Sequence, residues 1–387
     1  MALIGHAIEN NGAVIAQLGK VAFGVGSKVS LTMDPEGLIH VIVTDPSLLD
    51  TIANGALFKN TGNIIADGGQ VVISSAVAKE VYIQAVNNEG VIRANSIDDK
   101  AGRIVIKGNK EVRIGGGSVI SADMTSGLQD SSTSGLSRID IQSGDAVVIE
   151  DNAVIKADAV DNSDAGYINI DGHGRGVLIK DNAKVLARGA DYNSNEGRVF
   201  INSFHDIENP EQIIDGYIQG NHGFIADNAV IDASGGDKNG GWIDFSGKDI
   251  QWHENAPFKI ANKDGEYGTI TFDPEGIRFS NLADGRYDDQ AYTTGQAAVI
   301  GFGDAYESFN DDMSKYVNFD ISGIGMLASL GLSDNATIQF EAFNRIEVMN
   351  DWNIETSVGG ADGINLSLKT NGGDMFINGS ITANNAG

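Results

Sequence analysis

Asp151–Ser203 reads DNAVIKADAVDNSDAGYINIDGHGRGVLIKDNAKVLARGADYNSNEGRVFINS, which is one phrase written twice. Each copy opens on a short apolar run ending in alanine, Ala153–Ala157 and then Ala183–Ala187. A loop rich in Asp, Asn and Gly follows. Each copy closes on a Gly-x-apolar-x-apolar strand, Gly166–Ile170 and Gly197–Ile201. The strands lie one repeat apart, Ile168 to Val199 being 199 − 168 = 31 residues. A fixed period of ~20–50 residues built from short alternating strands predicts a solenoid, whose units bury a core only by stacking.

The phrase recurs along the chain. The alanine run returns at Gly12–Ala16, Gly62–Ala66, Gly90–Ala94, Ser118–Ala122, Ala229–Ala233 and Gly379–Ala383. The apolar-x-apolar strand returns at residues 21–23, 71–73, 104–106, 139–141, 243–245 and 270–272. A third strand often follows, at Val29–Leu31, Val81–Ile83, Val112–Ile114, Val147–Ile149 and Val177–Ile179. Three short strands per repeat, each with inward period-2 residues, predict an all-β, single-stranded parallel β-helix with insertions. Roughly eleven to thirteen coils at ~4.8 Å would give a rod on the order of 55 Å long.

Composition narrows the function. Fifty glycines in 387 residues is about twice the usual ~7 % and fits many turns. A formal charge of −27 argues against nucleic acid, whose phosphates need Lys and Arg, and against an anionic membrane surface. The chain has no cysteine, so disulfides, Cys-ligated metals and thiol catalysis are excluded. No apolar run approaches the ~20 residues of a membrane span, and the first residues lack a secretory leader's basic and apolar regions. Both ends fall mid-repeat, which is expected of a segment of a longer chain.

Departures from the repeat divide the chain. Residues 1–278 read as coils with insertions at 34–58 and 204–224, the first carrying its own alternation over Leu38–Val43 and a helical turn at Pro46–Ala53. The repeat is lost in the aromatic-rich segment 279–332, and coils resume over 333–387.

The first hundred or so residues resemble the filamentous haemagglutinin family of secreted exoproteins. Asn60–Val71 fits the family's N-x-G-x-I-x-A-x-G-G-x-V coil, and Val86–Ala94 its V-N-N-x-G-x-I-x-A coil. The resemblance covers residues 5–115; beyond them the likeness is to β-helix coils in general. It implies a right-handed helix exported by two-partner secretion through an outer-membrane barrel transporter. It also implies an adhesin-like location, secreted or on the surface of a Gram-negative bacterium. The family's Asn-Pro-Asn secretion signature is absent from the sequence, so no functional residues are carried over.

Sequence chemistry offers few sites. The histidines show no metalloprotease spacing, and no Gly-x-Ser-x-Gly or Walker loop is present; His173 sits in a turn-like Asp-Gly-His-Gly-Arg run. Acids on adjacent coils could serve a polysaccharide lyase or hydrolase; Asp140, Asp244 and Glu347 occupy outward positions, where a solvated sheet also explains them. Asp158, Asp161 and Asp164 form a loop that could hold structural calcium, although no calcium-loop spacing is matched. Tyr287, Tyr292, Tyr306 and Tyr316, with Asp304 and Asp311, suit a sugar; Phe309 and Phe319 lie among them, and such rings also suit burial against the coils. The expected function is a non-enzymatic scaffold displaying loops to a surface protein or glycan receptor, with end-to-end self-association. A polysaccharide-active enzyme and a self-assembling filament or surface-layer subunit are the alternatives.

Overall fold

Val and Ile at every second position favour strands, and the glycine-rich polar runs between them end each strand. The computed structural model describes residues 1–35, 37–47, 55–78, 84–97, 100–124, 136–160, 163–190, 197–203, 222–236, 240–253, 256–261, 268–280, 291–292, 317–321, 336–353 and 365–382. The protein is all β, with no helix among these residues. Three long parallel sheets hold eleven, nine and eight strands.

The chain visits the sheets in rotation. Arg138–Ser143 lies in the first sheet, Ala146–Ile149 in the second and Val154–Lys156 in the third; Tyr167–Gly172 then returns to the first. The spacing read from the sequence is the pairing observed. Ile139 faces Ile168, which faces Val199, and the 50-residue step from Val21 to Val71 is likewise one pairing. Residues 112–114, 147–149 and 177–179 pair in succession in the second sheet.

Inward side chains form one continuous core. Val71, Ile104, Ile139, Ile168, Val199 and Ile243 are fully buried along one row of the first sheet. The core turns aromatic from Phe245 onward. Trp252 stacks on Phe272 at 5.0 Å, and Phe279 on Trp352 at 4.5 Å. Phe319 packs 4.8 Å from Phe340 in the same core.

Corners carry their own chemistry. Asn152, Asn182 and Asn228 turn the chain from the second sheet to the third at φ of 62°, 58° and 53°. Asparagine tolerates this left-handed region, so the recurring Asp-Asn-Ala phrase marks this corner. Near the chain start the same corner is held by side chains instead. Asn10 Nδ2 donates to Asn60 Oδ1 at 2.7 Å, and Asn60 Nδ2 to Asn88 Oδ1 at 2.7 Å. Both Asn60 and Asn88 are fully buried.

The return from the third sheet to the first explains why alanine and glycine travel together. Gly166 N–H donates to the Ala157 carbonyl at 2.9 Å, closing the loop between them. A Cβ on Gly197 would overlap the Ala187 carbonyl oxygen, as one on Gly241 would that of Ala233. Only glycine lets the backbones approach this closely.

Several sequence expectations need correction. Val29–Leu31 is not a face of the stack: Lys28–Met33 pairs antiparallel with Ile39–Asp45 as a hairpin. Alternation could not distinguish the two pairings, but the surface beneath does. Val29, Ile39 and Val41 cover Ala22, Val72 and Val105, an apolar patch on the outward side of the first sheet. The insertion read at 34–58 therefore starts earlier, and Ala56–Asn60 is already a strand of the second sheet. The insertion read at 204–224 gives way to the strand His222–Ile225. Within 279–332, Val317–Asp320 pairs in parallel with Gly276–Ser280, and Ala291–Tyr292 with the strand Asp249–His253. The third strand expected at Val81–Ile83 and the helical turn's residues 48–53 lie outside the described residues.

Gly197→Ala should lower stability by about 1–3 kcal/mol or more, the cost of overpacking against fixed atoms. Gly12→Ala, where a Cβ meets nothing within 4 Å, is the control. Urea midpoints of the two variants against wild type check this.

Candidate functional site

The outward side chains of the first sheet alternate with the core rows and fall into rows of their own. One runs Arg103, Arg138, Tyr167, Arg198, Trp242 on paired strands. The Tyr167 ring lies between Arg138 at 5.4 Å and Arg198 at 5.3 Å, and Arg198 also covers Trp242 at 5.3 Å. Such cation–π contacts add about 0.5–2 kcal/mol, more when water is excluded. The adjacent row runs Val105, Asp140, Asn169, Phe200, Asp244.

The solvated face expected from the sequence is closed. Asp140 is 3 % exposed, Asp244 6 % and Glu347 9 %. Burial pushes the Asp140 carboxyl above its usual range, against the pull of Arg103, Arg138 and Lys107. Asp244 accepts from Ser246 Oγ at 2.6 Å. Glu347 is held by Arg278 at 2.8 Å and Arg345 at 3.3 Å, an arrangement that holds strands together. The three acids are not brought together: Asp140 and Asp244 sit three strands apart in the first sheet, and Glu347 lies in another sheet.

Two acids that the sequence reading missed do gather near Asp244. Asp273 feels both Asp244 and Glu341; burial first, and then these like charges, push its carboxyl well above the usual range, with Lys369 opposing. Glu341 is buried and accepts from Lys369 Nζ at 2.8 Å. Asp273 pairs across from Ser246, two places beyond Asp244. The strand register would have found it. A carboxyl whose pKa is raised by burial and by neighbouring acids is the kind of group that general acid catalysis uses.

The calcium candidates have structural surroundings. Asp158 accepts from the Arg188 backbone N–H at 3.0 Å and from its Nη2 at 2.6 Å, which raises the guanidinium above its ordinary value. This is one rung of a ladder. Asp67 Oδ1 accepts from Asn95 N–H, Asn95 Oδ1 from Asp123 N–H and Asp123 Oδ1 from Asp158 N–H, at 3.0, 3.0 and 3.2 Å. The residue after each phrase-ending alanine thus anchors its counterpart one circuit on. Asp164 is buried and Asp161 lies outside the described residues. Among the described residues, no group of three or more His, Asp or Glu is placed to hold a metal.

Of the sugar candidates, Tyr292 lies in the strand Ala291–Tyr292, its backbone paired with His253. Tyr287, Tyr306, Tyr316, Asp304, Asp311 and Phe309 lie outside the described residues. Phe319 is core, as its burial reading required. His173 lies in the turn between Tyr167–Gly172 and Gly176–Ile179, its pKa lowered by burial and by Lys107.

Asp158→Ala removes the acceptor for a main-chain donor as well as an ion pair, and should cost about 1–3 kcal/mol. Asp158→Asn, which keeps the acceptor, should cost less. Thermal melts with and without added calcium check both, the order Ala below Asn being the expected outcome.

Compared with known proteins, the sequence matches no family model and no curated protein, and no solved structure matches the chain.

Proposed function

We propose that the three long sheets are the faces of a parallel β-helix, and that this β-helix is a non-enzymatic scaffold in an exported, adhesin-like surface protein. One observation carries the reading. Strand pairing runs in register through eleven strands of the first sheet while segments of very different length leave and rejoin it at closed corners. That arrangement gives rigid length with positions for display. Stacked units of this kind derive stability from neighbour contacts and tolerate insertions on their turns. The haemagglutinin-like phrases Asn60–Val71 and Val86–Ala94 support export through an outer-membrane barrel in a Gram-negative cell. A surface protein or glycan is the receptor class, bound by the interposed segments, and end-to-end contact of the stack is the route to self-association.

The test is a glycan and cell-surface binding screen with the whole chain, repeated after residues 293–316 are replaced by a Gly-Ser linker. Binding without product release, lost in the replacement while the melting temperature holds, is expected. Binding by neither chain would overturn display by that segment.

A second reading, a polysaccharide-active enzyme, is favoured by the crowding of Asp244, Asp273 and Glu341 on adjacent strands. It expects reducing-sugar or unsaturated-sugar release from an acidic polysaccharide. In Asp273→Asn that release should fall by roughly 100-fold or more, the contribution of a positioned acid or base. No release by wild type across a polysaccharide panel would end this reading.

A further inference from the structure

Asp140 and Asn169 face each other across adjacent strands of the first sheet. Both are more than nine-tenths buried. Asp140 Oδ2 and Asn169 Oδ1 are closed to water, and neither has a hydrogen-bond donor. The orientation of Asn169 is fixed, because its Nδ2 donates to Asp171 Oδ2 at 2.7 Å. Reversing the amide would set its oxygen against that carboxylate oxygen. Two buried acceptors at paired positions of neighbouring strands, neither with a donor, are costly, since each has lost its hydration without replacement.

One shared donor would complete both groups, and the surroundings choose what supplies it. Arg103 and Lys107 face Asp140 from Arg103–Gly108, and Arg138 from its own strand. Tyr167 and Asp171 are the titratable groups on Tyr167–Gly172. Three cations around one carboxyl repel a metal ion, and atoms closed to water leave no room for a hydrated one. A proton needs no space and completes both groups, because a neutral carboxyl donates and an amide oxygen accepts.

We propose that Asp140 and Asn169 share a proton in the folded protein, the carboxyl donating to Asn169 Oδ1, so that this part of the first sheet is locked in acid and strained once the proton leaves. The sign follows from linkage. The folded carboxyl titrates above the ordinary aspartate value of 3.8, so between the two values the folded state holds more protons than the unfolded state. Stability therefore falls as pH rises through that window and is fully restored below it. The proposal concerns the sheet face and holds whether or not the interposed segments bind a receptor.

Urea unfolding of wild type and Asp140→Asn over a pH series provides the test, since an amide at this position donates permanently to Asn169. The two proteins should agree in acid, and the variant should be the more stable at neutral pH. Their ratio of folding constants should open by up to about tenfold per pH unit inside the window. A gap that does not change with pH, or a wild type more stable at neutral pH, would overturn the proposal. Should the variant not fold, carboxyl ¹³C titration of Asp140 in wild type decides. A step above the ordinary aspartate value supports the shared proton, and one at or below it refutes it.

Discussion

The contact between a glycine and the carbonyl of the preceding alanine sets the terms for the rest of this fold. Gly166 with Ala157, Gly197 with Ala187 and Gly241 with Ala233 bring the two ends of each third-corner loop into van der Waals contact. Once the ends are joined there, the length between them has little effect on the stack, because loop-closure entropy grows only slowly with length. The circuit from Ile139 to Ile168 and the longer one from Val199 to Ile243 therefore present the same register to their neighbours. Small residues at this corner are what allow variable segments on an invariant frame.

Charge is organised by the same stacking. In a chain with twice as many acids as bases, many of the bases tie one circuit to the next. Arg175 bonds Asp145 at 2.9 Å and Glu111 at 3.0 Å. Arg113 joins Glu111 and Glu150, and Lys180 meets Glu150 at 2.8 Å. Isolated surface pairs of this sort add only about 0–1 kcal/mol each. Linked through the buried Glu111, they form a network on which neighbouring strands depend together.

The repeat itself was legible, because the Gly-x-apolar strands and the alanine phrase are local patterns that must recur wherever the register does. The pairing of Val21 with Val71 across 50 residues could be read for that reason alone. Outward residues were not legible in the same way. Alternation tells that Asp140 points away from the core, but not that it is buried there, since burial of an outward residue is not a property of the local pattern. Val29–Leu31 was assigned to the wrong sheet for a related cause: two strands of like composition differ only in their partner. The proximity of Asp273 and Glu341 to Asp244 is not visible in the sequence, because it is a property of register across three strands. The asparagine ladder had a visible trace in the Asn of Asn60 and Asn88, each followed two residues later by glycine.

The ladder through Asp67, Asn95, Asp123 and Asp158 has a direction. In each rung the side chain of the earlier circuit accepts the main-chain N–H of the later one, never the reverse. A finished circuit thus offers the arriving chain an acceptor already held in place, whereas growth toward the N-terminus would present only a backbone donor to a side chain still free to rotate. The structure is in this sense a template with polarity, better suited to being laid down from its first residue onward than from its last.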